Sequence, residues 1–212
     1  MPIDVKICGV TRPEDVAAAA GAGAAFLGFV FFDRSPRALS FEAAKTLTEA
    51  VPQGVRKVAL TVDGTDDFFQ DLLATVPLDM LQLHGSESLD RVAEIRARFG
   101  CDVMKALAIG GPEDVAKIAA YEAVADWILA DAKPPKGADR PGGNAVSFDW
   151  ALLRGRDWAK PWMLAGGLTP ENAAEAAEAS GASILDVSSG VESAPGVKDP
   201  AKIAAFLKAV RP

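Results

Sequence analysis

Residue types suited to metal binding and disulfide cross-linking are scarce in this chain. Its 212 residues include one histidine and two cysteines, Cys8 and Cys101. A lone histidine without a Cys/His cluster argues against a zinc site. Two cysteines are too few for the disulfide framework of a small secreted domain. We therefore expect free thiols in a reducing compartment, and no metal.

Long hydrophobic runs and an excess of positive charge are also lacking. No apolar run reaches the roughly 18 residues that a membrane-spanning helix requires. The opening MPIDVKICGV lacks the basic and apolar segments of a signal peptide. The net charge of −7 argues against a nucleic-acid or anionic-membrane surface. We expect a cytoplasmic protein with no nucleic-acid or membrane partner, in which any anionic ligand is held by local attraction.

What the chain does contain is a regular alternation of strand-like and helix-like segments. Half of its residues are hydrophobic, which is ample for a buried core. Strands are predicted to begin near Asp4, Phe26, Arg56, Met80, Asp102, Trp127, Trp162 and Ile184. Helices are predicted at Pro13–Ala20, Phe41–Val51, Asp66–Thr75, Ser88–Phe99, Pro112–Ala120, Phe148–Leu153, Pro170–Ala179 and Pro200–Val210.

These β/α units predict an α/β protein, a closed (β/α)8 barrel that forms a single domain over residues 1–212. The alternative is an open, doubly wound sheet, which shares the alternation but usually has about five or six units. No low-complexity linker divides the chain. The one irregular stretch, Lys133–Val146, follows the sixth strand, and we interpret it as an active-site loop.

Several predicted helices begin with capping residues. Residues 11–14 (Thr-Arg-Pro-Glu) have the pattern of a capping box with proline at the first helical position, and Thr169-Pro170 repeats it. Ser40 and Ser88 are further candidate caps. These residues support the predicted helix starts.

The turns after strands seven and eight are suited to phosphate. Strand seven ends in Gly166-Gly167, and strand eight continues into Ser188-Ser189-Gly190. Glycines let the backbone approach a phosphate closely, and free N–H groups attract an anion. Barrels of this class commonly bind phosphate at these two loops, although ordinary tight turns contain the same small residues. Neither turn contains Lys or Arg, so we predict that backbone groups bind the phosphate.

Two residues at strand ends could transfer protons. The active site of such a barrel lies at the carboxyl ends of its strands, where Cys8 follows strand one and Asp131 follows strand six. A thiol and a carboxyl group facing one mouth could act as base and acid on a sugar skeleton. By position alone the structural alternatives stay open, because most isolated cysteines are small buried hydrophobic residues and an aspartate just past a strand is often a cap. Cys101 precedes strand five, so we expect it at the opposite end of the barrel and less accessible than Cys8.

Several motifs together resemble one enzyme family, the phosphoribosylanthranilate isomerases of tryptophan biosynthesis. They occur in the expected order from residue 6 to residue 199. They are Lys6-Ile7-Cys8-Gly9, Gly28-Phe29-Val30-Phe31, Ser35-Pro36-Arg37, Leu81-Gln82-Leu83-His84-Gly85, Ala165-Gly166-Gly167-Leu168-Thr169-Pro170-Glu171-Asn172, Asp186-Val187-Ser188-Ser189-Gly190-Val191-Glu192 and Gly196-Val197-Lys198-Asp199. One departure is Gly142-Gly143-Asn144-Ala145, where the family usually shows Gly-Gly-Thr-Gly.

The resemblance implies an Amadori rearrangement of a phosphorylated sugar that carries anthranilate, without cofactor or metal. It assigns Cys8 as general base and Asp131 as general acid. It places Arg37 at the anthranilate group, Asp186 at the ribose, and His84 near the mouth as a substrate-binding residue. The partner is then a small phosphorylated substrate, and the chain is a monomer or a homodimer.

Other functions on the same scaffold remain open at this point. The histidine-pathway isomerase performs the same type of reaction, but it uses an aspartate at strand one, where this chain has Cys8. Ribulose-phosphate epimerases use metal-binding histidines, which a single histidine cannot supply. A barrel that only binds a phosphorylated metabolite would need neither Cys8 nor Asp131.

Overall fold

The computed structural model describes residues 3–133 and 147–211, and its main sheet is a closed barrel of eight strands. Each strand pairs in parallel with the next, and the eighth pairs with the first. The strands are β1 (Asp4–Cys8), β2 (Phe26–Phe31), β3 (Arg56–Thr61), β4 (Met80–Leu83), β5 (Asp102–Ile109), β6 (Trp127–Ala132), β7 (Trp162–Leu164) and β8 (Ile184–Val187). The predicted barrel is confirmed, and the pairing of β8 with β1 excludes an open sheet.

Helices follow the strands along the chain. They are α1 (Pro13–Gly21), α2 (Phe41–Glu49), α3 (Asp66–Thr75), α4 (Leu89–Phe99), α5 (Pro112–Val115), α6 (Ile118–Glu122), α7 (Ala173–Ser180) and α8 (Pro200–Val210). Two 3₁₀ turns (Trp150–Leu153 and Ser189–Val191) and a hairpin of β9 (Glu192–Ala194) and β10 (Val197–Lys198) complete the described elements. Among these helices none is long and apolar enough to cross a membrane.

Three predicted helices differ from the observed elements. The predicted Pro112–Ala120 helix is split, because the backbone tightens where the Lys117 N–H donates to the carbonyl of Asp114. The predicted Phe148–Leu153 helix is reduced to a 3₁₀ turn. The predicted Pro170–Ala179 helix begins only at Ala173, because the side chain of Asn172 accepts a hydrogen bond from the Thr169 N–H and holds the preceding residues in a turn.

The predicted serine caps are confirmed. Ser40 Oγ accepts a hydrogen bond from the N–H of Ala43, and Ser88 Oγ accepts one from the N–H of Arg91, both at 3.2 Å. Each bond satisfies one of the N–H groups that a helix start leaves unpaired.

The cap of α1 does not use the predicted Thr11. The N-cap is Arg12, and the carboxylate of Asp15 accepts from the N–H groups of Thr11 and Arg12. The Thr11 hydroxyl instead donates to the carbonyl of Gly196 on the β9–β10 hairpin. A contact with a segment distant in sequence thus removes Thr11 from the local pattern.

The barrel interior changes from apolar to polar along the strands. An inner apolar cluster has members from six consecutive strands, while the outer apolar core packs against the helices. The inner members include Phe26, Val58, Met80, Met104, Leu129 and Met163. Because side chains alternate along a strand, Gln82 and His84 share the inward face of Met80, and Asp131 shares that of Leu129. Polar groups therefore gather toward the carboxyl ends of the strands.

The predicted active-site loop Lys133–Val146 is described only at Lys133. The remainder, including Asn144 and Ala145, lies outside the described residues.

The two cysteines are free and lie at opposite ends of the barrel, as predicted. Cys8 ends β1 and is only 4% exposed, whereas Cys101 precedes β5 and is partly exposed. The expectation that Cys8 is the more accessible thiol is therefore wrong. A strand-end position indicates which mouth a side chain faces, and it does not indicate how much of that side chain neighbouring strands cover.

Thiol titration should show this order of accessibility. The denatured chain should react at two thiols, and in the native protein Cys101 should react before Cys8 because Cys8 is buried. With Cys101→Ser as the matched control, the fast phase should disappear and only slow labelling remain. Mass spectrometry that found a Cys8–Cys101 disulfide would contradict the barrel itself, since a disulfide needs Cα atoms within about 7 Å.

Candidate active site

Cys8 lies in a crowded and charged position at the carboxyl end of β1. Gly28 is its partner in β2, and a Cβ added to Gly28 would lie 2.9 Å from Cys8 Sγ and 3.1 Å from Lys6 Nζ. Only glycine leaves room there for the thiol and the ammonium together. Burial raises the pKa of the Cys8 thiol, while the nearby positive charges of Lys6 and Lys198 act in the opposite direction.

A buried ion pair lies directly beside the thiol. Lys6 is 0% exposed, and its Nζ is 2.9 Å from Oδ1 of Asp186 on β8. Burial disfavours the charge on Lys6, but the carboxylate of Asp186 outweighs it and the pKa of Lys6 is raised. Burial raises the pKa of Asp186 and Lys6 lowers it; Asp131 raises it further, and His84 lowers it. Asp186 therefore connects the Cys8 side of the barrel mouth to its Asp131 side.

Asp131 is held by a chain of hydrogen bonds that begins two strands away. His84 Nε2 is 3.1 Å from Asp131 Oδ2, and His84 Nδ1 is 2.9 Å from Gln82 Nε2. The other carboxylate oxygen of Asp131 accepts from the N–H of Ala132 at 2.8 Å. The carboxyl group is thus fixed in orientation, with the imidazole ring on one side.

Arg37 takes part in a second buried charge cluster. Its guanidinium is bidentate to Glu192, with Nε–Oε1 at 2.6 Å and Nη2–Oε2 at 2.7 Å. Lys198 Nζ also contacts Glu192 Oε1, at 2.7 Å. Burial disfavours the charge on Glu192, but Arg37 and Lys198 outweigh it and lower the pKa of its carboxyl group. Glu192 therefore joins the loop after β2 to the hairpin after β8.

The two predicted phosphate turns lie against each other. Gly166 and Gly167 have positive φ values of 95° and 66°. A Cβ on Gly190 would collide with the carbonyl oxygen of Leu168, so the second turn packs directly on the first. The N–H groups of Gly167 and Gly190 have no hydrogen-bond partner among the described residues. Such close-packed turns with free N–H groups suit an anion.

A lysine outside the two turns contacts the second turn. Lys198 Nζ donates to the Ser188 carbonyl at 3.0 Å and lies 3.3 Å from Ser188 Oγ. The lysine is outside both turns in sequence, and the binding of phosphate by backbone groups stays a prediction. Its position beside Ser188 was not predicted.

The structure brings the predicted residues into two connected groups. Cys8, Asp131, His84 and Asp186 line the mouth together, and Arg37 lies in the cluster of Glu192. Sequence reasoning missed the contacts of Lys6, Gln82, Glu192 and Lys198, although all four lie within the motifs quoted above. Lys6 and Glu192 have partners far away along the chain, which nothing local indicates. Gln82 and Lys198 have partners within ten residues, but no simple periodic pattern predicts those contacts. Within residues 3–133 and 147–211, no three His, Cys, Asp or Glu side chains gather as a metal site would require.

The Lys6–Asp186 pair should be essential to stability as a pair. Lys6→Met leaves a buried carboxylate without its partner, so we expect a loss of about 3–5 kcal/mol in the free energy of unfolding. The double variant Lys6→Met/Asp186→Leu removes both charges and should recover most of that loss. Denaturant titration measures both. Equal losses in the single and double variants would show that packing, rather than the unpaired charge, is responsible.

Comparisons with known proteins agree with this geometry. A family model described as N-(5′-phosphoribosyl)anthranilate (PRA) isomerase matches residues 5–209. The N-(5′-phosphoribosyl)anthranilate isomerase of Cereibacter sphaeroides is 60% identical over 209 residues, covering 99% of each chain. The enzyme of that name from Rhodospirillum centenum is 54% identical and covers 98% of this chain and 97% of its own.

Solved structures give the same result. The phosphoribosylanthranilate isomerase of Thermotoga maritima is similar with a TM-score of 0.88 and 35% identity, over 98% of both chains. A further isomerase structure, in complex with reduced 1-(o-carboxyphenylamino)-1-deoxyribulose 5-phosphate, has a TM-score of 0.85 and 33% identity over 98% of both chains. The chain belongs to the phosphoribosylanthranilate isomerase family.

Proposed function

We propose that this chain converts N-(5′-phosphoribosyl)anthranilate to 1-(2-carboxyphenylamino)-1-deoxyribulose 5-phosphate, the Amadori rearrangement of tryptophan biosynthesis. The observation that carries the proposal is that a buried thiol (Cys8) and an oriented carboxyl group (Asp131) lie at the same mouth of the barrel. A barrel that only binds a phosphorylated metabolite needs neither. The related isomerase crystallised with a reduced form of this product supports the substrate class.

Asp131 acts first, as the general acid. Its carboxyl group donates a proton to the furanose ring oxygen as the bond from that oxygen to C1′ breaks. The lone pair of the anthranilate nitrogen forms the C1′=N double bond, which gives an open-chain Schiff base. The contacts of Asp131 with His84 Nε2 and the Ala132 N–H orient the carboxyl group for this transfer.

Cys8 acts second, as the general base. The thiolate removes the proton from C2′, and the electron pair moves through the C1′–C2′ bond to the Schiff-base nitrogen. The resulting enolamine takes up a proton at C1′ and loses the proton of its C2′ hydroxyl, and this tautomerisation gives the ketone. Burial raises the pKa of the thiol, so the thiolate forms at a higher pH than in a free cysteine, and the adjacent Lys6 ammonium stabilises the anion when it forms.

The other predicted residues position the substrate. Phosphate binds the N–H groups of the turns Gly166-Gly167 and Ser188-Ser189-Gly190, at one end of the ribose. Arg37 has a second Nη atom that the fork to Glu192 leaves available for the anthranilate carboxylate. With both ends held, C2′ lies between acid and base, which is the arrangement that lowers the entropic part of a barrier. We further propose that the enzyme works in the cytoplasm as a monomer or a homodimer.

Replacing the acid or the base should abolish most turnover. We expect Cys8→Ala and Asp131→Asn to lower kcat by about 10²–10⁴-fold each, the range of one lost proton-transfer group. In growth assays, the wild-type chain should restore a tryptophan auxotroph that lacks this isomerase, and neither variant should. Circular dichroism checks that the variants fold. A folded variant with near-normal turnover would remove that residue from the mechanism.

Blocking the first phosphate turn should weaken binding more than chemistry. Gly167→Val places a β-branched residue at a positive φ and obstructs the approach of phosphate to the backbone. We expect KM to rise about tenfold, equivalent to one lost charge-assisted hydrogen bond of roughly 1.5 kcal/mol, with a smaller change in kcat.

Gly181→Val is the matched control for this experiment. Gly181 has a similar φ of 76° and ends α7, where a Cβ would meet nothing within 4 Å. It carries the same backbone strain away from the turn and should leave KM unchanged. If both variants changed KM equally, strain would explain the effect and the phosphate assignment would be wrong.

A further inference from the structure

We propose that Gln82 is a positioning residue whose side-chain amide turns with the protonation state of His84 and stabilises it, so that the proton delivered by Asp131 is shared between His84 and Asp131. This inference rests on the proposed function, in which Asp131 is the general acid. It gives His84 a role in the supply of the proton, beside the substrate contact that the family resemblance implies.

The geometry places Gln82 behind the histidine and away from solvent. Gln82 is 0% exposed and lies two residues before His84 on the inward face of β4. Its amide nitrogen is 2.9 Å from His84 Nδ1, and His84 Nε2 is 3.1 Å from Asp131 Oδ2. Gln82 has no surface through which to contact substrate, so any effect on the reaction passes through the imidazole ring.

Two arrangements of this chain differ by one proton. In the first, the Gln82 amide N–H donates to Nδ1, and the proton on Nε2 is donated to the Asp131 carboxylate. In the second, the amide is rotated by a half turn, and its oxygen accepts from a proton on Nδ1. Nε2 can then accept a hydrogen bond from a protonated Asp131, or carry the proton itself beside an ionised Asp131. The second arrangement therefore holds the proton that Asp131 needs as an acid.

The surroundings leave the amide free to follow the histidine. The Gln82 atom that points away from His84 is buried and has no hydrogen-bond partner among the described residues. Oxygen and nitrogen of a glutamine amide are nearly equal in size, so rotation exchanges them without repacking. Because no second partner fixes the orientation, the proton on His84 determines it.

Charged groups from several strands and loops surround His84. The charged groups on the neighbouring strands and loops are Asp63 after β3, Lys105 of β5 with Glu87, Asp131 of β6, and Asp186 of β8 with Lys6 of β1. Lys105 and Lys6 are each paired with a carboxylate, at 2.7 and 2.9 Å. Asp131 is the carboxylate in direct contact with the ring, at 3.1 Å from His84 Nε2.

The experiment uses the fact that the chain contains one histidine. In protein labelled with ¹⁵N-histidine and free of any histidine tag, the two ring-nitrogen signals belong to His84 without further assignment. Their shifts report which nitrogen carries a proton across a pH titration. In the wild type we expect Nε2 protonated and Nδ1 unprotonated above the midpoint, and Nδ1 protonated below it. A neutral form with its proton on Nδ1 above the midpoint would overturn the proposal without any variant.

Two variants at position 82 should move the pH midpoint of the His84 titration in opposite directions. In Gln82→Glu the side chain, when ionised, can only accept, so Nδ1 keeps its proton to higher pH, and we expect a proton affinity of His84 raised about tenfold or more. Gln82→Met has a similar volume but removes both the donor to neutral Nδ1 and the acceptor from protonated Nδ1. Because a hydrogen bond from a charged donor is the stronger of the two, the proton affinity of His84 should fall. The alkaline limb of the kcat–pH profile should move in the same directions, because activity is lost as the acid loses its proton.

Thr61→Val is the matched control. It removes a hydroxyl that donates to the backbone carbonyl of Gln82 from the neighbouring strand and leaves the amide side chain untouched. Its midpoint should equal that of the wild type. Midpoints that are the same in the wild type and both Gln82 variants would overturn the proposal, even with a fully active enzyme. Midpoints that move as expected in a protein without isomerase activity would support the role of Gln82 and contradict the proposed reaction instead.

Discussion

The buried ion pair between Lys6 and Asp186 joins the first strand of the barrel to the last, and the active site depends on it. Two charges taken out of water are tolerated only when they are paired and well oriented, and β1–β8 pairing in the barrel supplies that orientation. The pair fixes an ammonium beside Cys8 and a carboxylate facing the Asp131 side. Without barrel closure, neither charge could be buried, and the thiol would lose its neighbouring cation.

The barrel could be predicted from sequence because its determinants are local. Each strand is a short apolar run that follows a turn, and all eight predicted starts coincide with the observed ones. The errors described above lie at helix starts, where side-chain hydrogen bonds decide the boundary. Asn172 accepts from the Thr169 N–H and delays α7, and Thr11 bonds to Gly196 and leaves the cap of α1 to Asp15. The first contact is local but does not differ in pattern from a cap, and the second is far beyond any local pattern.

The site could be predicted in part, because strand ends and short motifs indicate some of its residues. The rule that strand ends form the mouth selects Cys8 and Asp131, and the family motifs add Arg37, His84 and Asp186. The rule does not give the partners of these residues. Glu192 is 155 residues from Arg37, and their bidentate contact follows only from the folded chain. The burial of Cys8 likewise depends on strands that surround it, so its accessibility was predicted wrongly.

The inner apolar cluster has a consequence for how this barrel can acquire new chemistry. Three of the four methionines in the chain, Met80, Met104 and Met163, lie in that cluster beneath the polar groups. Thioether side chains are unbranched and adapt their shape to small changes around them. These three methionines can therefore adapt when a polar residue near the carboxyl ends of the strands is replaced by one of another size. Redesign of the reaction should begin at those inward-facing polar positions and leave the methionines unchanged.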